Sequence, residues 1–519
     1  IAAGFLLTTK EVSFISLFIL ATFVFLAVAL RSARELVAVM VGAGVLVAVG
    51  ARLLQAMGVA ELPGIPWQSP TTSDIGRFTR DLLTHPLVLL LLGIGLLAVI
   101  TAILLLRRRG QPEQGWITSI LGSAPAGSVS AGLSALLTER RPLWIGLAGG
   151  ATIFVALYTS LFTNLGGLAS GTFGALGYWL GQHGVQRGEQ PWFYYLLLVP
   201  QYEFVAAAFL PFGAVLTVAR AVRGGRSGRG LDRRDYTRVF LLYWALGMLL
   251  ILSWAGEKMP WLVVHIALPL TLLAASLIGE AIEGITHRSA AERRRGGRLS
   301  AALAITGVMW FLLLAWASAG PYVGQGTTLH RVIRPEIVDH WWVTAIPLML
   351  ALALLLIGVW SIGIRGIASV GAATLAALLI GVQVHRAWPV VYRQGDVPED
   401  MLVYVQTAPD VPRAMSDLTR LSEELTGGMG LDIWYDSGTQ WPLNWYLRDF
   451  PNRHFFGTTL PEPPNAPVVL VAREFVTPQV ENALTNYTYQ EYPIRWWFHE
   501  AATYRRFAIA PELNEPSRQ

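Results

Sequence analysis

Lysine is almost absent from this chain, and its two occurrences are the first residues with chemistry to explain. Of 39 basic residues only Lys10 and Lys258 are lysines, each in a short polar turn between apolar runs: Thr8-Thr9-Lys10-Glu11 and Gly256-Glu257-Lys258-Met259-Pro260-Trp261. Where arginine is the default cation, a compact ammonium kept at two sites suits a phosphate approached as a point charge rather than gripped by a planar fork. Residue type alone fits a second reading equally: a Glu–Lys neighbour pair easing its own desolvation at a helix end.

A third polar stretch runs from Gly181 through His183, Arg187 and Glu189 to Trp192, then through Phe193-Tyr194-Tyr195 to Pro200-Gln201-Tyr202-Glu203. Trp192 and Tyr194 read as an interfacial aromatic belt. Glu203 falls two turns or more inside an apolar run without a basic residue nearby in sequence, which makes it a functional candidate. His183, Tyr202, Trp261 and His265 are candidate substrate contacts, although a histidine such as His265 is more often a hydrogen-bonded core residue. Arg52, Glu280 and Glu283 lie towards helix ends and are expected to snorkel. No spacing of histidine and carboxylate predicts a metal site, and no Ser-His-Asp order emerges. Cysteine is absent, which excludes a disulfide framework and a thiol nucleophile. Towards the C-terminus, Trp441 to Asp449 is unusually aromatic and reads either as a sugar-stacking platform or as a hydrophobic seam docking onto the membrane part.

The elements that must position these residues follow from composition: 53% of 519 residues are hydrophobic and only 14% charged. A membrane-spanning helix takes about 20 mostly apolar residues. The runs predict spans at Val12 to Leu30, Leu36 to Met57, Pro86 to Leu106, Leu143 to Phe162, Phe193 to Ala219, Val239 to Trp254, Leu262 to Ile285, Leu299 to Ser318, Trp342 to Ile364 and Ile367 to Val384. Alternate connections then carry nearly all the arginine, including Arg107 to Arg109, Arg220, Arg223, Arg233, Arg234, Arg288 and Arg293 to Arg295. Up to the last span, the opposite side holds only Lys10, Arg77, Arg80, Arg187, Lys258, Arg331 and Arg334. The positive-inside rule makes the arginine side cytoplasmic and turns both lysines outward. The expected fold is therefore an α-helical polytopic membrane protein of about ten spans over residues 1–386. A soluble α/β domain over 387–519, where strand-like and helix-like segments alternate, is expected on the extracytoplasmic face. The partners expected are membrane lipids; nothing has the basic-aromatic character of a nucleic-acid groove.

The stretches Gly4 to Glu11, Gly181 to Glu203, Gly256 to Trp261 and Trp441 to Asp449 resemble the polyprenyl-phosphate-sugar-dependent glycosyltransferases of the GT-C class, the protein O-mannosyltransferase and aminoarabinose-transferase type. Within that class the likeness is greatest to the prokaryotic flippase-activity-associated family of archaeal-type N-glycosylation. The resemblance implies a plasma-membrane enzyme that moves a sugar from a polyprenyl-phosphate carrier, its donor substrate, to a protein, glycan or lipid acceptor on the outer face, with inversion. Lys10 matches the lysine such enzymes place near the lipid phosphate; Lys258 and Arg187 fit that role by charge and side. The class keeps its acidic catalytic residue in the first outer loop, which is expected upstream of Ile1, so Glu257 and Glu203 are the only carboxylates to test as substitutes. Two non-catalytic readings stand beside this one: a component of a lipid-linked-sugar flippase, and an assembly subunit whose outer domain binds a partner.

Overall fold

A computed structural model describes residues 2–9, 12–32, 34–59, 62–65, 71–108, 128–175, 177–178, 190–227, 231–318, 341–395, 398, 400–461, 464–496, 498–500 and 503–507. The chain divides into two compact units, Ile1–Gln383 and Val384–Gln519. In the first the helices are α1 (Ala2–Thr9), α2 (Ser13–Ser32), α3 (Arg34–Ala56), α4 (Thr72–Thr84), α5 (Pro86–Arg108), α6 (Val129–Thr138), α7 (Arg140–Tyr158), α8 (Tyr194–Tyr202), α9 (Phe204–Ser227), α10 (Arg233–Trp254), α11 (Val264–Thr286), α12 (Ala290–Ser318) and α13 (Ala345–Tyr392). Among the described residues nine helices are long and apolar enough to cross a membrane. This is a helical, multi-pass membrane protein, because in lipid only a helix or a closed barrel satisfies its own backbone.

Packing is deepest where α9, α10 and α11 meet. Leu241 and Leu242 of α10 close on Leu273 of α11, and Phe209 of α9 closes on Ala274 and Leu277 of α11 with Ala376 of α13. Helix α2 lies antiparallel on α10. Ile19 meets Gly247, the Tyr243 hydroxyl donates to Thr22 Oγ1 at 2.9 Å, and Phe23 packs on the rings of Phe240 and Tyr243. Small residues let helices approach in the absence of a hydrophobic drive between them: a Cβ on Gly4 of α1 would stand 2.5 Å from the Gly150 carbonyl of α7. Helices α3 and α5 pair with each other, and α3 buries no side chain fully, as suits an apolar surface turned to lipid.

Two spans are broken. The apolar run expected to be continuous from Phe193 to Ala219 stops at Glu203 (φ −114°, ψ 55°) and restarts as α9. The break is held by Gln383 near the far end of α13: its Oε1 accepts from Val205 N at 3.2 Å and its Nε2 donates to Glu203 Oε2 at 3.2 Å. A side chain thus takes over backbone partners that the interrupted helix gives up. Helix α13 is in fact two helices folded at Gly363 (φ 74°, ψ 162°). Gly358 lies against Ile367 and Leu355 against Gly371, contacts that only an antiparallel hairpin makes. The turn is filled from the α11–α12 connection, where Arg288 donates Nη1 to the Ile362 carbonyl at 2.9 Å and Nε to the Gly284 carbonyl at 3.1 Å. Counting that hairpin as two, the helices fall on the ten runs read from the sequence.

At one end of α9, α10 and α11 the charges meet instead of snorkelling separately. Arg238 is 0% exposed; its Nη1 donates to Glu280 Oε2 at 2.6 Å, its Nε to Ser276 Oγ at 2.9 Å and its Nη2 to the Ser276 carbonyl at 2.8 Å. Arg220 joins the same Glu280 and reaches Asp235 at 3.0 Å, while Arg234 grips Glu283 with both nitrogens. From Arg220 back to Phe204 along α9 is about 24 Å at 1.5 Å per residue. That separation approaches the ~30 Å hydrocarbon thickness and sets the other end of the bundle at the opposite surface.

In the second unit β2 (Ile433–Asp436) is the centre of a parallel three-stranded sheet between β3 (Arg453–Gly457) and β4 (Val468–Leu470). Helices α14 (Asp410–Thr426) and α15 (Gln440–Tyr446) flank β2 in the chain, β3 and β4 follow in succession, and α16 (Pro478–Ala483) comes after β4. Helix α14 packs Val411 and Met415 onto Ile433 and Tyr435, with Leu443, Leu447 and Phe450 completing the core. It stops where Gly427 takes a left-handed conformation (φ 70°), which glycine adopts without a Cβ clash. Strands β1 (Gln406–Thr407) and β5 (Arg495–Trp496) pair antiparallel in a separate two-stranded sheet.

Candidate functional site

The end of the bundle away from the arginine cluster brings together the described parts of two stretches singled out in the sequence, Trp192 to Glu203 and Gly256 to Trp261. Helix α8 is buried along one side by Tyr194, Tyr195, Leu198 and Val199. Tyr195 is fully enclosed, and its hydroxyl donates to the Met259 carbonyl at 3.1 Å across a gap of 64 residues. The bond ties the aromatic stretch to the turn between α10 and the 3₁₀ helix Pro260–Val263. A buried phenol needs such a partner.

That turn carries both chemical candidates. Lys258 is half-buried and donates Nζ to the Ala255 carbonyl at 2.7 Å, the cap position of α10. An ammonium at a helix C-terminus complements the exposed carbonyls there, and Ala255 takes one of its three donors. Burial pushes the Lys258 ammonium down from the ordinary lysine range. Glu257 is half-buried beside it, and its carboxylate lies near enough to act electrostatically on Tyr195. Trp261 is exposed and His265, the second residue of α11, is half-buried.

Glu203 and Tyr202 stand at the α8–α9 break. Glu203 receives the Gln383 amide described above, and the Tyr202 hydroxyl accepts from Gln201 Nε2 at 3.4 Å. The Glu203 carboxylate therefore contributes to joining α9 and α13, a structural duty visible only in the tertiary contact.

Lys10, His183 and Arg187 lie outside the described residues, but the approach to Lys10 does not. Thr9 ends α1, whose last turn is held by the Tyr158 hydroxyl donating to the Leu7 carbonyl at 3.2 Å and by Ser13 Oγ donating to the Leu6 carbonyl. The antiparallel register of α2 on α10 sets Ile19 against Gly247; seven residues back on one helix and seven forward on the other bring Val12 level with Trp254. The α1–α2 junction and the Lys258 turn thus occupy the same bundle end.

Sequence reasoning missed Tyr195 and Gln383 as organising residues. Tyr195 sat inside the quoted aromatic stretch, but nothing in sequence separated the buried ring from its exposed neighbours; Gln383 carried no signal beyond being a polar residue in an apolar span. Among the described residues no three histidine or carboxylate side chains come together to hold a metal ion. No protein-family model, curated protein or solved structure matches the chain.

Proposed function

We propose that this protein is a membrane glycosyltransferase of the GT-C type, which takes a sugar from a polyprenyl-phosphate carrier and gives it to an acceptor at the outer face of a plasma membrane. The observation that carries this reading is the Tyr195–Met259 hydrogen bond, which fixes the Lys258 turn against the aromatic stretch at the bundle end shared with the α1–α2 junction. In the reaction an acceptor heteroatom bonds to the anomeric carbon as the bond from that carbon to the carrier phosphate breaks. The phosphate leaves with the electron pair, and the acceptor proton passes to a base. Lys258, with Lys10 and Arg187, meets the charge developing on the leaving phosphate. No residue described is assigned as the base. The arginine-rich end faces the cytoplasm, and the second unit is an extracytoplasmic α/β domain.

The test is transfer from radiolabelled polyprenyl-phosphate-sugar donors by the full-length protein in membranes, comparing wild type with Lys10→Ala and Lys258→Ala. Donor-dependent product lost in both variants is expected. Undiminished transfer in both removes the phosphate site from these turns, and absence of turnover with every donor in folded protein favours the flippase-component or assembly-subunit reading.

A further inference from the structure

Helix α15 of the second unit is anchored on one side and bare on the other. Leu443 and Leu447 enter the core, and Asn444 accepts from the Tyr435 hydroxyl at 2.8 Å, so the segment is held in place. Trp441 and Trp445 are left open, 63% and 66% exposed. Tryptophan is rarely left this open, and paired exposed rings mark an interaction surface. Arg448 lies over the Trp445 ring with its guanidinium carbon 4.4 Å from the centroid, while its Nη1 donates to the Trp445 carbonyl at 2.9 Å. A fixed cation over one exposed indole, with a second exposed indole four residues away in the chain, has the make-up of a membrane–water interface, where amphipathic rings sit among headgroups and guanidinium meets phosphate. Asp449 stands 3.6 Å from Arg448 and is exposed beside it.

The same unit begins within the last stretch of α13, whose end exposes Trp388, Val391 and Tyr392. From Tyr392 to Met401 the chain has nine residue steps, at most about 32 Å when fully extended. The bilayer surface is therefore present to this unit at high effective concentration before any other partner arrives. A carbohydrate platform fits less well, because Arg448 already occupies one face of Trp445 and the Asn444 amide oxygen is engaged by Tyr435.

We propose that Trp441, Trp445 and Arg448 form a peripheral anchor that seats the second unit in the headgroup layer of the membrane its own chain spans. The inference stands apart from the reaction proposed above. Because the chain has no cysteine, a single introduced thiol reports on one position. Trp445→Cys, Trp441→Cys and the control Glu424→Cys on α14 are each labelled with an environment-sensitive fluorophore in the 519-residue chain reconstituted into nanodiscs. Lipid-borne nitroxide and aqueous iodide are the quenchers. An interfacial site within ~5–10 Å of the headgroup boundary is expected to show nitroxide quenching at least about twofold above the control, with matching protection from iodide. Iodide quenching at both tryptophan positions equal to that at Glu424→Cys overturns the anchor. Protection that appears only on adding soluble oligosaccharide overturns it in favour of a sugar platform. The two tryptophan positions are read independently, so misfolding of one variant leaves the other to decide.

Discussion

A lysine held in a half-buried turn titrates differently from one in water. Burial lowers the Lys258 pKa, so as pH rises the ammonium loses its proton earlier than an exposed lysine does. With that charge holding a leaving phosphate, transfer is expected to decline on the alkaline side at a pH below the ordinary lysine range. Lys258→Arg keeps its charge through that interval and moves the decline upward, though at a lower maximal rate because a planar guanidinium replaces a compact ammonium. Superimposable alkaline limbs in wild type and variant would remove Lys258 from the phosphate site. Arg238 poses a different question, since it is fully buried and depends on Glu280. Glu280→Ala removes the closer of the two carboxylates facing that guanidinium, leaving Asp235 at 3.6 Å, and is expected to cost up to about 3 kcal/mol, whereas Arg238→Met combined with Glu280→Leu costs less. Thermal unfolding in detergent checks the order; a double variant less stable than the single one contradicts it. The sequence shows Glu280 as a carboxylate near a helix end. That it closes a cluster from three helices depends on residues 42 and 60 positions away.

At the scale of elements, apolar runs announce helices but not what interrupts them. Gly363, at φ 74° and ψ 162°, occupies backbone space that essentially only glycine enters. Gly363→Ala is expected to cost about 1–3 kcal/mol, read as a lower unfolding midpoint of the first unit; an unchanged midpoint would show that the hairpin does not turn there. The two runs on either side of Gly363 were legible because a hydrophobic stretch of that length exceeds one bilayer crossing. The bonds that fill the turn come from Arg288, and no local signal pairs it with Ile362. The α8–α9 break was not legible for a related reason: Pro200, Gln201 and Glu203 mark the place, but the group that stabilises the interruption is Gln383 in another span. In the second unit, β3 carries no strand periodicity, since Arg453, His454 and Phe455 are all exposed along it and give no alternation of buried and exposed positions.

Over the whole molecule, two units with separate cores are expected to unfold separately. Asp436 tests this from the second. It is fully buried at the end of β2, where Oδ1 accepts from Thr439 N at 2.8 Å and Oδ2 from Ala472 N at 2.7 Å. Asp436→Ala leaves those donors without acceptors, at about 1–3 kcal/mol each. The expected result is early proteolysis in the second unit with the helical unit unchanged; simultaneous loss of both would show one cooperative body. Lipid solvation of a backbone is decided by local sequence length and apolarity, so the sequence by itself determined the membrane class, the spans and the side on which arginine accumulates. The partners of Glu203, Glu280, Arg288 and Tyr195 were decided only by tertiary structure, because a polar group in a low-dielectric interior must be satisfied by whatever distant segment packing brings within hydrogen-bond reach.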